Sequence, residues 1–306
     1  MKGLKVFCVW VLAIAVTVVD GQSRIAYLKT RNRDVPVVVE DLSAKKSMEL
    51  PIEKIGELWL VRANLDGEEG NFILDTGAPY LVINQSNIRG DFSAYGTTGN
   101  VKVDDTTVSQ FSLSTAQWKN HNALALDLRH FERSLGTKLM GIIGYDILKR
   151  FELTIAPEQK IMYLSVNESI YRKEAGITSI NMSIEGHLPV VEVEINHQVF
   201  RFGIDTGAEV NMINPESLEK LASNSISEGG HVTAIGLGKK SIRQRIIQIE
   251  SMNLGQHLFE EIPFAVLKSP VLNESSGIDG ILGNQFLNKI VYSMNYRKGV
   301  LQFFVH

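Results

Sequence analysis

Residues 72–84 read FILDTGAPYLVIN, and residues 202–214 read FGIDTGAEVNMIN. Each is an apolar run that ends on Asp-Thr-Gly, with Asp75 in the first copy and Asp205 in the second. One such turn carries little information. Two in matching surroundings point to two half-sites, each giving one carboxylate to a shared centre. The likeness spreads outward from the triplets. A shift of 130 residues lays Leu58 on Leu188, Phe72 on Phe202, Ile83 on Ile213 and Asn84 on Asn214. A second block repeats as well: GIIGYDILKRFELTIAPEQKIMYL starts at Gly141, and GILGNQFLNKIVYSMNYRKGVLQF starts at Gly280. Repeated order, spacing and apolar pattern indicate a duplicated domain. The period is too long for a solenoid unit, and each half is large enough to be a small domain.

These motifs resemble those of the retropepsin-like aspartic proteases, a group that includes retroviral proteases and many bacterial aspartyl-protease-family proteins. The matching signature is an apolar strand, then DTGA, then an apolar-apolar-Gly stretch and a short helix. Both halves have it: ILDTGA with Ile142-Ile143-Gly144, and GIDTGA with Ile281-Leu282-Gly283. The likeness covers the chain from about Leu58 onward. It implies a mainly β fold: two retropepsin-like acid-protease barrel lobes in one chain, related by a pseudo-twofold, with the active site between the lobes. Retroviral members build the site from two identical chains. Here a monomer with both lobes is expected.

The resemblance implies an aspartic endopeptidase acting on a peptide or protein substrate, with Asp75 and Asp205 as the catalytic dyad and no cofactor or metal. Hydrolysis without a metal or covalent intermediate needs an activated water, and two carboxylates sharing one proton can supply both acid and base. At close range they cannot both ionise easily, so their pKa values are driven apart and belong to the pair. Gly77 and Gly207 allow backbone that a side chain would block and bring amides close to the carboxylates. By resemblance, Thr76 and Thr206 cross-link the two loops, and Ala78 and Ala208 complete them. Many acid-active relatives carry a hydroxyl residue where Ala78 and Ala208 stand. Gly144 and Gly283 are expected to let a strand pass tightly beneath each loop. Flaps are expected from residues 95–104 and 229–240. Pro79 after Ala78, and Gly203 before Ile204, depart from the usual pattern and leave open a shifted geometry.

Composition sets outer bounds. The chain has 306 residues, enough for two cored domains, and a formal net charge of −3, which gives no case for nucleic acid. Its start, MKGLKVFCVWVLAIAVTVVDGQS, has Lys2 and Lys5 before an apolar run from Val6 to Val19. That reads as a signal peptide over residues 1–21, cleaved before Gln22, and the run is short for a membrane span. The expectation is an exported protein, periplasmic, envelope-associated or secreted. Cys8, the single cysteine, leaves with the leader, so no disulfide is expected. The N-terminal lobe is expected over 22–170 and the C-terminal lobe over 171–306, with the boundary in the polar stretch near Glu168 to Gly176.

Coarser signals complete the picture. Val35 to Val39 reads as a strand. Leu58 to Leu65, a turn at Asp66-Gly67, and Asn71 to Leu74 read as a hairpin, and the second half repeats it with Val190 to Ile195, Asn196-His197 and Phe200 to Ile204. Short helices are expected over Asp146 to Arg150, Pro215 to Ala222 and Asn284 to Lys289. Asn84, Asn167, Asn181 and Asn273 sit in N-x-S sequons, which matter only in a host that glycosylates. The seven histidines show no metal spacing. The stretch from Gly236 hints at a phosphate loop, but Thr233 stands where its first glycine belongs. Two other readings stay open: a peptide-binding protein that keeps the cleft without catalysis, and a narrow processing enzyme for one envelope protein.

Overall fold

A computed structural model of the chain describes residues 47–90, 92–96, 99–166, 176–221, 225–235, 241–267 and 277–304, and the short strands Phe7–Val9 and Val38–Val39. The architecture is mainly β, in a 9-stranded and a 14-stranded sheet. Each half opens with the expected hairpin. Leu58–Leu65 pairs antiparallel with Glu68–Leu74, and Leu188–Ile195 pairs with Gln198–Ile204. The turns explain the register. Asp66 and Gly67 take φ of 50° and 94°, and Asn196 and His197 take 50° and 62°. Two successive positive φ values match the right-handed twist of the flanking strands. Gly67 N–H also donates to Asn64 Oδ1 at 2.9 Å.

The strand entering each DTG loop is then flanked in the same way in both halves. Gly141–Ile143 runs parallel to Phe72–Leu74 and pairs antiparallel with Val82 and Ile83. Gly280–Leu282 does the same with Phe202–Ile204 and with Met212 and Ile213. The registers coincide: Gly141 faces Phe72 and Ile83, and Gly280 faces Phe202 and Ile213. A Cβ on Gly283 would lie 2.5 Å from Val210 O and 2.7 Å from Ala208 O. A Cβ on Gly144 would collide with the matching carbonyls of Tyr80 and Ala78. The tight passage expected beneath each loop therefore exists, and only glycine fits it.

Aromatic side chains fill the space behind the hairpins. Phe72, Phe111, Trp118 and Phe151 form a chain of ring contacts at 5.5, 5.5 and 6.1 Å. In the other half, Phe202 meets Phe200 at 6.5 Å and Phe264 at 5.4 Å. All but Phe151 are essentially without solvent contact, and Phe151 is buried too. Truncating one such ring to alanine costs about 3–5 kcal/mol.

The halves are joined by a shared sheet. Val291–Asn295 pairs with Glu152–Ala156, which pairs on its other side with Ile161–Ser165. Ser47–Pro51 extends this on one flank, and Val300–Phe304 with Thr178–Asn181 on the other. A buried polar chain runs across the seam. Thr154 Oγ1 donates to Ser293 Oγ at 3.0 Å, and Ser293 Oγ donates to Glu152 Oε1 at 2.7 Å. Asn295 Nδ2 donates to Glu152 Oε2 at 2.7 Å. The Glu152 carboxylate is thus buried with partners on both oxygens, as a buried charge requires.

Several expectations need adjustment. The three predicted helices are single turns, Tyr145–Leu148, Pro215–Leu218 and Asn284–Leu287. The last two begin where expected and stop short. A further helix, Arg129–Leu135, is present where none was read. It ends at Gly136, which takes the left-handed conformation at φ 69° and donates its N–H to Glu132 O. Val38–Val39 forms a strand against Ala116 and Gln117. Of the 95–104 segment, residues 95–96 and 99–104 lie on the paired strands Phe92–Gly96 and Gly99–Leu113, and 97–98 lie outside the described residues. Of the 229–240 segment, residues 229–235 lie on the strand Ile226–Ile235, which pairs with Ser241–Leu254. Residues 236–240, including the phosphate-loop hint, lie outside the described residues, as do 167–175, where the lobe boundary was placed. Phe7–Val9, within the proposed leader, pairs in parallel with Thr233–Ile235.

Candidate active site

Asp75 and Asp205 each follow the last residue of their strand, and the flanking strand ties them down in the same way. Asp75 N–H donates to Ile143 O, and Asp205 N–H to Leu282 O, both at 3.1 Å. The two loops then interlock through their threonines. Thr76 N–H donates to Thr206 Oγ1, and Thr206 N–H donates to Thr76 Oγ1, both at 3.0 Å. Each hydroxyl passes its own proton to a carbonyl of the opposite strand: Thr76 Oγ1 to Ile204 O at 2.8 Å, and Thr206 Oγ1 to Leu74 O at 2.9 Å. Both threonines are fully buried, so all four bonds are made out of water. This is the cross-link expected of Thr76 and Thr206.

The carboxyls meet above that cross-link. Both aspartates are fully buried. Asp75 Oδ1 accepts the amides of Gly77 and Ala78 at 2.9 Å each, and Asp205 Oδ1 accepts the amide of Gly207 at 2.8 Å. A Cβ on Gly77 would lie 2.6 Å from the Asp205 carboxyl carbon, and one on Gly207 would collide with the Asp75 carboxyl. Each glycine is therefore packed against the carboxylate of the opposite copy, and a side chain at either would push the pair apart. Ala78 and Ala208 are buried directly behind, with their carbonyls accepting Tyr145 N–H at 2.7 Å and Asn284 N–H at 2.8 Å.

Electrostatics follow from this geometry. Burial pushes the Asp75 carboxyl well above its ordinary range. The neighbouring Asp205 carboxyl adds to the rise; the Gly77 and Ala78 amides pull the other way. Two carboxyls this close cannot both ionise easily, so their titration belongs to the pair. Tyr296 is buried nearby and pushed up by burial first, then by Tyr145 and Asp75. Its ring packs edge-on against Tyr145 at 5.5 Å.

Supporting residues emerge that sequence reading left unassigned. Asn84 Nδ2 donates to Leu139 O at 2.9 Å, and its counterpart Asn214 Nδ2 donates to Ile278 O at 3.2 Å. Asn84, the first sequon, is thus engaged within the fold. Asn211 Oδ1 accepts Gly283 N–H at 2.9 Å, and Asn284 Nδ2 donates to Thr206 O at 2.6 Å. The first half has no such amides at the matching positions, because Leu81 and Tyr145 stand there. His187 Nε2 lies 2.7 Å from Gly77 O, across the lobe boundary. Glu209, next after Ala208, is buried and accepts Glu57 N–H at 3.0 Å. His121 bonds Asp146 Oδ2 at 2.8 Å inside the first lobe. Among the described residues, no group of three or more His, Cys, Asp or Glu side chains is placed to hold a metal ion.

What such an arrangement can do is acid–base chemistry on a water held between two carboxyls. A family model described as aspartyl protease matches residues 61–147 and 191–286, one stretch in each lobe. No curated protein matches the chain.

Proposed function

Because the chain belongs to the aspartyl protease family, we propose that it is an aspartic endopeptidase whose Asp75 and Asp205 activate one water between them. Family membership points to peptidase activity in general. The observation that carries the finer reading is the opposed packing of the two loops: Gly77 lies against the Asp205 carboxyl and Gly207 against that of Asp75. With one proton on the pair, the ionised carboxylate removes a proton from water as the water oxygen bonds to the scissile carbonyl carbon. The protonated partner gives its proton to the carbonyl oxygen. The tetrahedral diol then collapses. Its C–N bond breaks as the amine nitrogen takes the proton of one carboxyl and a diol hydroxyl gives its proton to the other, so the pair holds one proton throughout. The titration belongs to the pair, so neither aspartate is assigned one role alone.

The pinned loops have a plain use in this scheme. Thr76, Thr206 and the amides of Gly77, Ala78 and Gly207 fix the carboxyls before substrate arrives, so little reorganisation is needed during reaction. No additional chain is required to complete the pair, and we place the active species as a monomer. The leader-like N-terminus supports export, with hydrolysis outside the cytoplasm. Incubation with a peptide library, read by mass spectrometry, tests the reading. Cleavage that is lost on Asp75→Asn and on Asp205→Asn supports it. Absence of any aspartate-dependent cleavage across the library counts against it.

A further inference from the structure

We infer that His187 is a positioning residue for Asp75, acting across the lobe boundary through the single peptide plane between Gly77 and Ala78. The inference rests on Asp75 being half of the proposed dyad, and it concerns which groups hold it in place. The imidazole Nε2 lies 2.7 Å from the Gly77 carbonyl oxygen. A carbonyl only accepts, so Nε2 carries the proton. The same peptide unit presents Ala78 N–H, which donates to Asp75 Oδ1 at 2.9 Å. That unit is rigid and planar, so fixing its oxygen fixes its N–H. Hydrogen bonds at the two ends of one amide also polarise each other, which strengthens the donor aimed at the carboxylate. The chain of contact is therefore His187 Nε2–H to Gly77 O, and Ala78 N–H to Asp75 Oδ1.

The strut is one-sided. Gly186-His187 in the second half stands where Gly56-Glu57 stands in the first, under the shift that superposes the DTG motifs. Glu57 is engaged differently. Its N–H donates to Glu209 Oε1 at 3.0 Å, and its side chain takes Asn288 Nδ2 at 3.0 Å and Lys54 Nζ at 2.8 Å. The first position in the second copy after DTGA is a buried glutamate, and in the first copy it is Pro79. Each hairpin turn thus reaches toward the opposite DTG loop, but of the matching pair Glu57 and His187 it is His187 whose side chain bonds a DTG carbonyl. Burial pushes the His187 ring below its ordinary pKa, against a smaller opposite pull from the Gly77 carbonyl. That favours the neutral ring, whose one proton then sits on Nε2. The titratable groups bearing on Asp75 itself are Asp205 and Tyr296.

The test compares His187→Gln, which keeps an N–H donor, with His187→Ala, which removes it. Activity on a cleaved library peptide is recorded against pH, with thermal unfolding alongside. For His187→Ala we expect kcat to fall by about 10-fold or more with KM within about 3-fold. The basic limb should move to higher pH, because a weaker Ala78 donor disfavours the ionised carboxylate. His187→Gln should restore most of kcat and the wild-type limb. An alanine variant with wild-type kcat and limb, or a folded glutamine variant as impaired as alanine, overturns the inference. Nitrogen-15 NMR of the unaltered protein judges it without any variant or turnover. A neutral His187 protonated on Nε2 is expected, and a ring protonated on Nδ1 instead overturns it. A protein with no aspartate-dependent cleavage but an Nε2-protonated ring would sink the proposed function and leave the strut standing.

Discussion

Thr76 and Thr206 each accept the other's backbone N–H at 3.0 Å, a reciprocal pair of bonds that ties the two DTG loops together in a fully buried site. Thr206→Val keeps the shape and removes the hydroxyl. Thr76 N–H and Leu74 O then lose their partner in a place water does not reach. Stability should fall by about 1–3 kcal/mol. Urea unfolding of wild type and variant measures this, and a change below about 0.5 kcal/mol would show that the cross-link is energetically idle.

On the proposed mechanism the two carboxyls act as one unit, so their losses should not add. Asp75→Asn, Asp205→Asn and the double variant are each expected to lower kcat by about 10²-fold or more, to a common floor. All three should stay folded, because an asparagine retains the acceptor oxygen for the Gly77, Ala78 or Gly207 amides. Peptide cleavage with circular dichroism on the same samples checks both halves. Substantial turnover in either single variant would break the shared-dyad reading.

A raised carboxyl pKa has a thermodynamic consequence with a definite sign. Asp75 is held well above its ordinary value of 3.8 by burial and by Asp205. Between the ordinary and the raised value, the folded state keeps a proton that the unfolded state has lost. Stability contributed by that proton is complete below the ordinary value and falls as pH rises through the raised one. Asp75→Asn has no such dependence. The melting temperature of the variant relative to wild type should therefore climb from about pH 4 towards neutrality. A flat difference across that window would mean that Asp75 is not raised.

Alanine occupies both positions that follow the DTG glycines. No hydroxyl there donates to the charged form of the pair, so the upper dyad pKa should stay high. Cleavage is expected to be fastest in the weakly acidic to near-neutral range. Ala78→Ser with Ala208→Ser should move the optimum towards acid. Rate against pH for both proteins decides this: a wild-type optimum in strong acid, or no shift in the double variant, removes the argument.

The N-terminus gives a simple measurement. If the N-terminal apolar run is a cleaved leader, the intact mass of the mature protein should correspond to a chain beginning at Gln22. A mature protein that keeps Met1 would instead retain the leader, with Phe7–Val9 on the sheet edge beside Thr233–Ile235.

What the sequence made legible was local or repeated. Asp66-Gly67 and Asn196-His197 announce hairpins because few residue pairs tolerate two positive φ values. The recurring spacing of the DTG and apolar-apolar-Gly pairs marks the duplication, and the resemblance to retropepsin-like aspartic proteases implies the threonine cross-link. Arg129–Leu135 carries a weak signal, the helical spacing of Leu128, Phe131 and Leu135 with Gly136 at its end. Only Phe131 of its seven residues is buried, so its apolar face is thin. The predicted helices at Pro215 and Asn284 were read too long, since the chain turns away after one turn to rejoin the sheet. His187 on Gly77 and the burial of Glu209 had no local signal. Both arise where two lobes meet, and sequence pattern speaks of faces within an element, not of contacts between distant ones.

The shared sheet also bears on how the protein is made. Glu152–Ala156 receives one of its two neighbours from Val291–Asn295, and the facing pair Thr154 and Ser293 is separated by 139 residues of chain. During synthesis the first lobe is built and extruded while that edge still has open N–H and C=O groups. Open edges invite pairing with other chains, and contacts so distant in sequence form slowly. The nascent first lobe is thus the vulnerable species on the ribosome.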